Sequence, residues 1–333
     1  MPSQTIQWFP GHMAKTRRLI TENLSQVDVV IELLDARIPK SSRNPEIDKL
    51  TGTKPRLTLL TKASLADPAA TKKWIEYYSR KTGHRALAID TVTGEGIKAI
   101  QPAVREILAE KLQRYADKGM TGRSVRAMIV GIPNVGKSSL VNKLGGKKAA
   151  KVENRPGVTL TKQWVTTNIG IELMDMPGVL WPKFDDRITG ENLAFTGAIR
   201  DAILDTEELA SLLCKRLYDI APDLFCARYK LEKDALTEAG PYDLLCAVAK
   251  KRGFLIAGGE LNTERAATIV LDEFRDVKIG RITLEMPPEI KKDPKPEPKT
   301  EVKTDEASPD NFRALAKDFH VTLDERFLYR KEN

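Results

Sequence analysis

Apolar and polar positions follow two periodicities in the first half of the chain. Short, nearly continuous apolar runs predict strands covered on both faces, at 29–34, 56–60, 86–89, 127–130, 164–167 and 171–174. Helical spacing of apolar residues lies between them, at about 14–24, 68–82, 96–115 and from 137 onwards. Alternating strands and helices predict an α/β fold, a mostly parallel sheet with helices on both faces.

The pattern changes after about residue 185. Helical periodicity then predicts helices at 191–198, 205–218, 242–252 and 262–274, and Asp205 is placed to cap the second of these. From residue 285 onwards Pro, Lys, Glu and Asp dominate, which predicts a disordered tail. We therefore predict three regions: an α/β domain over 1–185 that includes an N-terminal segment 1–25, a small all-helical domain over 186–284, and a linker and tail over 285–333.

Composition narrows the class of protein further. The 333 residues are 41% hydrophobic and 30% charged, with a formal net charge of +8, and no apolar run approaches the length of a membrane span. The first ten residues do not resemble a signal peptide, and three widely spaced cysteines predict free thiols rather than a disulfide framework. We expect a cytoplasmic protein, without membrane association, that meets a polyanionic partner.

A phosphate-binding loop is the most specific motif in the sequence. The apolar run that ends in Gly131 is followed by four residues and then Gly136-Lys137-Ser138, and a helical pattern begins there. Backbone N–H groups in such a loop bind phosphates, its lysine reaches the β- and γ-phosphates, and its serine hydroxyl ligates Mg²⁺. An ordinary glycine turn is the alternative, but the complete motif in its strand–helix context outweighs it. The predicted nucleotide-binding residues of this loop are Asn134, Val135, Gly136, Lys137, Ser138 and Ser139.

Two further segments complete the predicted phosphate side of the site. Asp175 ends an apolar strand and begins Asp-x-x-Gly178, where the carboxylate faces the metal, directly or through a water, and the glycine N–H meets the γ-phosphate. Thr159, in a polar stretch between the two motifs, is the best candidate for a second Mg²⁺ ligand, with Thr161 as its competitor. We therefore expect Mg²⁺ to be bound by Ser138, Thr159 and Asp175.

The base-binding motif comes before the phosphate loop. Guanine-specific proteins with such a phosphate-binding loop resemble one another in carrying Asn-Lys-x-Asp at a strand end, after the other motifs. The strand-end match here is Thr61-Lys62-Ala63-Ser64, and the loop at 91–94 is the next candidate for contact with the base. This order looks like that of the circularly permuted GTPases, and permutation preserves a fold because domain termini lie at the surface and often close together.

Together with Trp8-Phe9-Pro10-Gly11-His12-Met13 and Asp35-Ala36-Arg37-Ile38-Pro39, these motifs closely resemble the ribosome biogenesis GTPase A (YlqF/RbgA) family over about 7–283. The resemblance implies a GTPase that hydrolyses GTP slowly alone and faster on the large ribosomal subunit, late in the assembly of that subunit. It implies ribosomal RNA and ribosomal proteins as partners, with the RNA contacted by the helical domain. We expect the protein to act as a monomer.

Hydrolysis needs a group that orients the attacking water. Val179 stands where Ras-like enzymes carry a glutamine, and an aliphatic side chain cannot polarise water. The family resemblance proposes His12 instead, and contact with RNA or simple packing are the alternatives for this histidine. Asn134 resembles a position that helps to hold K⁺ beside the β- and γ-phosphates in some related GTPases.

The base motif departs from the family at two positions. Thr61 replaces the asparagine and Ser64 replaces the aspartate, so the carboxylate that accepts two guanine N–H groups is missing. Loss of a charged acceptor weakens discrimination by about 2–3 kcal/mol, so we expect guanine to be kept as the base, with reduced selectivity over other purines.

Three functions remain open at this point. The first is an assembly GTPase for the large subunit, which hydrolyses GTP to trigger its own release. The second is a nucleotide-gated RNA-binding placeholder without significant catalysis, and the third is an ATPase. For any single basic residue a solvated face is the simplest interpretation, and the candidates for contact with RNA phosphates are Lys15, Arg17, Arg18, Arg37, Lys250, Lys251 and Arg252.

Overall fold

A six-stranded sheet forms the centre of the computed structural model, which describes residues 11–82, 85–120, 122–145, 163–181, 184, 186–199, 201 and 204–289. The strand order is β3-β2-β1-β4-β6-β5, and all neighbours are parallel except β5 and β6. The predicted mostly parallel sheet is therefore confirmed. The strands are β1 (Val29–Asp35), β2 (Arg56–Thr61), β3 (Arg85–Ala88), β4 (Val125–Gly131), β5 (Gln163–Thr166) and β6 (Ile171–Asp175).

Helices cover both faces of this sheet, because successive side chains of a strand point to opposite sides. Ile31 of β1 belongs to the apolar cluster that contains Leu140, whereas its neighbour Val30 packs in a second cluster with Ile20 and Ile47. The helices of this half are α1 (Gly11–Asn23), α2 (Ile47–Thr51), α3 (Pro68–Thr82), α4 (Ile100–Ile107), α5 (Ala109–Asp117) and α6 (Lys137–Gly145).

The helix predicted over 96–115 is divided in two. A 3₁₀ turn and α4 come first, and Leu108 then leaves the helical conformation, with φ −102° and ψ 11°. Leu108 is buried, whereas no residue of α5 is. Periodicity alone did not reveal the break, because the apolar spacing continues across it while the tertiary packing ends there.

The second half is helical, as predicted. The helices are α7 (Arg187–Phe195), α8 (Thr206–Ile220), α9 (Pro222–Tyr229), α10 (Pro241–Arg252) and α11 (Thr263–Arg275). Leu209, Leu213 and Leu217 of α8 are buried in the main core, and the Asp205 carboxylate accepts the Glu208 N–H at 2.9 Å as the predicted cap. Helix α9 was not predicted, although Pro222 at its first turn is a typical helix-start signal.

After α11 the chain returns to the α/β half. The Leu284 N–H donates to the Arg37 carbonyl at 2.8 Å, and the Glu285 carboxylate accepts from the Ser41 N–H and hydroxyl at 2.7 and 2.8 Å. The Trp74 indole donates to the Glu285 carbonyl at 3.0 Å. These contacts reach past the predicted start of the tail, and the compact unit extends to Pro288.

The three cysteines are free thiols, as their spacing predicts. Cys214 and Cys226 are buried free thiols, and Cys246 is a half-buried one. Within the described part of the chain, no helix combines the length and apolar character that crossing a bilayer requires.

Candidate nucleotide site

Four parallel strands bring their carboxyl ends to one edge of the sheet. Asp35 pairs in register with Thr61, Leu33 with Gly131, and Ile129 with Asp175. The chain runs outward from β1 to β3 and returns to β4 on the other side of β1, which makes the β1–β4 boundary a topological switch point. Ligands of open α/β sheets bind in the crevice outside the strand ends at such a point.

The loop after β4 has the conformation that a phosphate-binding loop needs. Gly136 has φ +101°, which favours glycine, and Asn134 has φ 56° in the left-handed region. The Thr61 hydroxyl lies 2.6 Å from the Val135 carbonyl oxygen and 3.0 Å from that of Leu34. Because its single proton is donated most closely to Val135, the end of β2 holds the phosphate loop in place.

Lys137 begins α6 and points back into this loop. Its Nζ donates to the Ile132 carbonyl at 2.6 Å and to the Gly131 carbonyl at 3.2 Å, and the residue is only 6% exposed. Burial lowers the pKa of Lys137 to about 8, the neighbouring Asp175 opposes that shift, and Lys62 adds to it. The loop therefore holds a buried ammonium group where a phosphate chain would lie.

Asp175 lies beside this lysine at the end of β6. The residue is fully buried, and neither carboxylate oxygen has a hydrogen-bond partner of normal geometry among the described residues. Burial raises the pKa of Asp175, while Lys137 and the nearby Ser138 hydroxyl partly offset the shift. Unpaired carboxylate oxygens next to a hydroxyl are the donor set that a hard cation takes, so Ser138 and Asp175 fit Mg²⁺.

The other predicted phosphate-side residues are only partly described. His12 lies in α1, with its side chain outside the described set, and Thr159 falls in the undescribed stretch 146–162. Their proposed roles therefore remain predictions.

Gly178 packs tightly against the phosphate loop. A Cβ at this position would meet Pro133 N at 2.8 Å, Pro133 Cα at 2.9 Å and Lys137 Nζ at 3.1 Å. The next residue, Val179, is buried and donates its N–H to the Gly131 carbonyl at 3.2 Å. The segment after Asp175 therefore requires glycine at this point for close backbone approach.

We predict that Gly178→Ala lowers the rate of GTP hydrolysis and the affinity for GDP more than it lowers the stability of the fold. The added methyl group would displace the phosphate loop or the Lys137 ammonium, and such a misplacement costs about 100-fold in rate. Single-turnover GTP hydrolysis and calorimetric GDP affinity measure the effect. Gly240→Ala is the matched control, because a Cβ there meets only the tip of the Asp243 carboxylate, at 3.1 Å. Unchanged hydrolysis in Gly178→Ala would contradict the packing argument.

The base side of the crevice holds charged residues, of which only Lys62 belongs to the predicted base motif. Lys62 has φ 55°, and its Nζ donates to Asp35 Oδ2 at 2.9 Å. Ser64 is half-buried and donates its hydroxyl proton to Asp90 Oδ2 at 2.5 Å. Neither Asp35 nor Asp90 was predicted from the sequence to be a site residue, although Asp35 ends β1 and Asp90 lies two residues beyond the end of β3.

Arg37 is not available to RNA, which corrects the expectation from its charge. The residue is 2% exposed, and its Nε and Nη2 donate to the two Asp35 oxygens at 3.0 and 2.8 Å. Its guanidinium also lies 5.7 Å from the centre of the Phe274 ring in α11. The arginine therefore joins the end of β1 to the helical half of the chain.

Asn134 provides a second connection to the helical half. Its amide nitrogen donates to the Gly197 carbonyl at 2.7 Å, just after α7. Arg275 of α11 lies against Gly197 and donates to the Phe195 and Ala194 carbonyls at 3.0 Å each. The phosphate loop and the helical half therefore share one hydrogen-bonded network.

Comparison with known proteins adds an independent observation to this geometry. The chain is 46% identical over 284 residues to ribosome biogenesis GTPase A of Bacillus cereus, covering 85% of this chain and 95% of that protein. This chain belongs to the ribosome biogenesis GTPase A family. The family member of Thermotoga maritima is 32% identical over 86% of this chain and 96% of its own length. A sequence model described as 50S ribosome-binding GTPase matches residues 126–222, from the phosphate-loop strand into α9.

Solved structures of family relatives have the same fold. GDP-bound YlqF of Thermotoga maritima has a TM-score of 0.57 and 27% identity, covering 81% of this chain and 99% of that one. The GNP-bound form has a TM-score of 0.56, with 83% of this chain and all of that chain covered. The permuted GTPase fold expected from motif order is therefore confirmed, and with it a GTPase family whose substrate is GTP and whose typical cofactor is Mg²⁺.

Proposed function

We propose that this protein is a GTPase assembly factor for the large ribosomal subunit, which hydrolyses GTP on the precursor subunit and is thereby released. One observation carries the proposal: a buried lysine and a buried, unpaired aspartate share the carboxyl edge of the sheet beside a phosphate loop. The relatives named ribosome biogenesis GTPase A and the matching sequence family described as 50S ribosome-binding GTPase support ribosomal RNA and proteins as its partners.

The proposed chemistry is attack of water on the γ-phosphate, in line with the leaving β-phosphate oxygen. Lys137 contacts the β- and γ-phosphates and offsets the charge that develops on them. Gly178 offers its N–H to the γ-phosphate. Bound Mg²⁺, for which Ser138, Thr159 and Asp175 are the proposed ligands (Asp175 through a water), supplies further charge neutralisation.

The rate of the isolated protein is proposed to be low. Val179 is 3% exposed and buried in an apolar cluster, so the position that carries glutamine in Ras-like enzymes cannot orient water. His12 is proposed to orient it, and binding to the subunit would place this histidine. Asn134 donates through its amide nitrogen to Gly197, so its amide oxygen is the atom proposed to ligate K⁺.

Release is proposed to follow from the links between the phosphate loop and the helical region over 186–284. Loss of the γ-phosphate changes the loop, and Asn134 transmits the change to Gly197 and Arg275. The division proposed for the chain keeps 1–185 and 186–284, but the start of the tail moves from 285 to after Pro288. Lys250, Lys251 and Arg252 at the exposed end of α10 remain candidates for contact with RNA.

We predict that large subunits or their precursors raise the single-turnover hydrolysis rate of this protein at least about tenfold. His12→Ala is expected to lose that stimulation while it keeps GDP affinity, because the phosphate loop is unchanged. The measurement is single-turnover hydrolysis of labelled GTP in K⁺ buffer, with and without subunits, and in Na⁺ buffer of equal ionic strength.

His84→Ala is the matched control, since no part of the proposed mechanism assigns that histidine a role. Absence of stimulation in the wild-type protein would favour the nucleotide-gated RNA-binding placeholder. ADP binding as tight as GDP binding would favour the ATPase. Equal stimulation of His12→Ala and the wild-type protein would assign the water-orienting role to another group.

A further inference from the structure

Ser64 and Asp90 form a closed hydrogen-bonded pair at the base end of the crevice. Ser64 follows β2, and Asp90 lies two residues beyond β3. The Ser64 hydroxyl donates to Asp90 Oδ2 at 2.5 Å, and the Ser64 N–H approaches the same oxygen at 3.3 Å. The other oxygen, Oδ1, accepts the N–H groups of Val92 and Thr93 at 2.8 and 2.9 Å. Asp90 therefore joins the base motif to the loop at 91–94.

The two members of the pair differ in exposure. Asp90 is 2% exposed, whereas Ser64 is half-buried. Although burial opposes ionisation, hydrogen bonds from Ser64, Thr93 and Val92 hold the pKa of Asp90 below its ordinary value. A full negative charge is therefore present one hydrogen bond away from the hydroxyl of a half-buried residue.

This arrangement determines what the hydroxyl can offer a ligand. A serine has one proton and two lone pairs, and the proton of Ser64 is donated to Asp90. The lone pairs of Oγ are therefore left as acceptors, and the charge of Asp90 polarises them further. Guanine presents N1–H and N2–H donors on its Watson–Crick edge, whereas adenine presents an N1 acceptor there.

The pair also lies next to the phosphate loop. Thr61, three residues before Ser64, donates to the Val135 carbonyl, and the Ala63 N–H donates to the Ile89 carbonyl at 3.2 Å. At the other end of the loop that Asp90 organises, a Cβ on Gly94 would lie 3.8 Å from Lys143 Nζ of α6. A nucleotide whose phosphates lie in the loop would place its base at this end.

We propose that Asp90 is a positioning residue for guanine selection, which fixes Ser64 as the acceptor for the guanine N–H groups and supplies the negative charge absent from position 64. The inference rests on the proposed GTPase function and deepens it. It departs from the sequence-based expectation of reduced purine selectivity, because the missing carboxylate is replaced by one that belongs to the next strand.

The experiment is calorimetric titration of the full-length protein and its variants with GDP, ADP and XDP in Mg²⁺ buffer. Asp90→Asn and Ser64→Ala are each expected to lower GDP affinity about 10- to 100-fold and to change ADP affinity less than about twofold. ADP shares the phosphates, the ribose and the purine ring with GDP but lacks its N–H donors at N1 and N2, so ADP affinity controls for a damaged fold. Asp67→Asn is the matched control, because its carboxylate only caps the Ala70 N–H at 2.6 Å.

A charge-relocation pair tests the role of Asp90 more sharply. Ser64→Asp alone would place two carboxylates in contact, so GDP affinity is expected to fall about tenfold. The double variant Ser64→Asp/Asp90→Asn restores a single charge at the base, with the introduced amide donating to it. Its GDP affinity is expected to return to within about threefold of the wild-type value, a rescue that additive damage cannot give.

Two outcomes would overturn the inference while leaving the GTPase proposal intact. The first is a ratio of GDP affinity to ADP affinity that is the same in Asp90→Asn as in the wild-type protein. The second is a double variant no better than Ser64→Asp alone. If Asp90→Asn also lowers the affinity for ADP, that variant is damaged more widely. The inference is then tested by the GDP and ADP affinities of Ser64→Ala and of the double variant. Wild-type protein that binds ADP or XDP as tightly as GDP would overturn both this inference and guanine as the substrate base.

Discussion

Lys137→Ala is expected to lower the single-turnover rate of GTP hydrolysis about a thousandfold, the scale on which cationic groups stabilise phosphoryl transfer. The ammonium group is buried and donates to two carbonyls of the loop, and alanine supplies no positive charge in its place. GDP affinity is expected to fall as well, because the lysine is also proposed to contact the β-phosphate. Rapid-quench hydrolysis and calorimetry measure the two effects separately.

Lys72→Ala is the matched control for this loss of charge. Lys72 lies on the exposed face of α3, and alanine keeps the helix, so activity within about twofold of wild type is expected. A Lys137→Ala variant that hydrolyses GTP at a rate near wild type would exclude the phosphate loop as the catalytic centre. Circular dichroism of the variant checks that it is folded, because loss of the ammonium group also leaves the buried Asp175 without its neighbouring positive charge.

Arg37→Ala is expected to lower the free energy of unfolding by about 3–5 kcal/mol, the range found when one partner of a buried ion pair is removed. Asp35 would keep Lys62 but lose the Arg37 guanidinium, and the guanidinium contact with Phe274 would be lost as well. Urea unfolding followed by circular dichroism measures the change. A loss below about 1 kcal/mol would contradict the assigned role of this pair.

Arg80→Ala is the control for an exposed pair. Arg80 contacts Glu76 at 2.6 Å with both side chains more than half exposed, and such pairs contribute about 0.5 kcal/mol or less to stability.

The buried pair of Arg37 and Asp35 also predicts how stability depends on pH. Burial alone would raise the pKa of Asp35, but Arg37 and Lys62 hold it far below its ordinary value. Its contribution to stability is therefore present at neutral pH and is lost only as the pH falls below about 4.

The base motif shows where reading a motif in isolation is insufficient. Position 64 lacks the expected aspartate, and from the sequence this appears as a simple loss of charge. The structure places Asp90, 26 residues later in the chain, within 2.5 Å of the Ser64 hydroxyl. The strand-end position of Asp90 was a usable signal, but parallel pairing of β2 with β3 was needed to bring the two residues together.

Arg37 shows the same limit for charged residues. In the sequence, Arg37 is a basic residue in the loop that follows β1. Its charge alone predicts an exposed side chain that is available to RNA. Burial decides its role, and burial depends on α11 and on the returning segment around Leu284, which are more than 200 residues away in the sequence. Local composition could not supply those partners.

The sequence by itself determined the phosphate loop, the parallel sheet, the change to a helical half and the permuted motif order. These follow from local periodicity and from the spacing of glycine, lysine and serine, which act through the backbone of one short segment. Only the tertiary structure decided which charges are buried and paired: Asp35 with Arg37, Ser64 with Asp90, and Asn134 with Gly197. Those pairings depend on strand order and helix packing, because a side chain's partner in space is set by elements far from it along the chain.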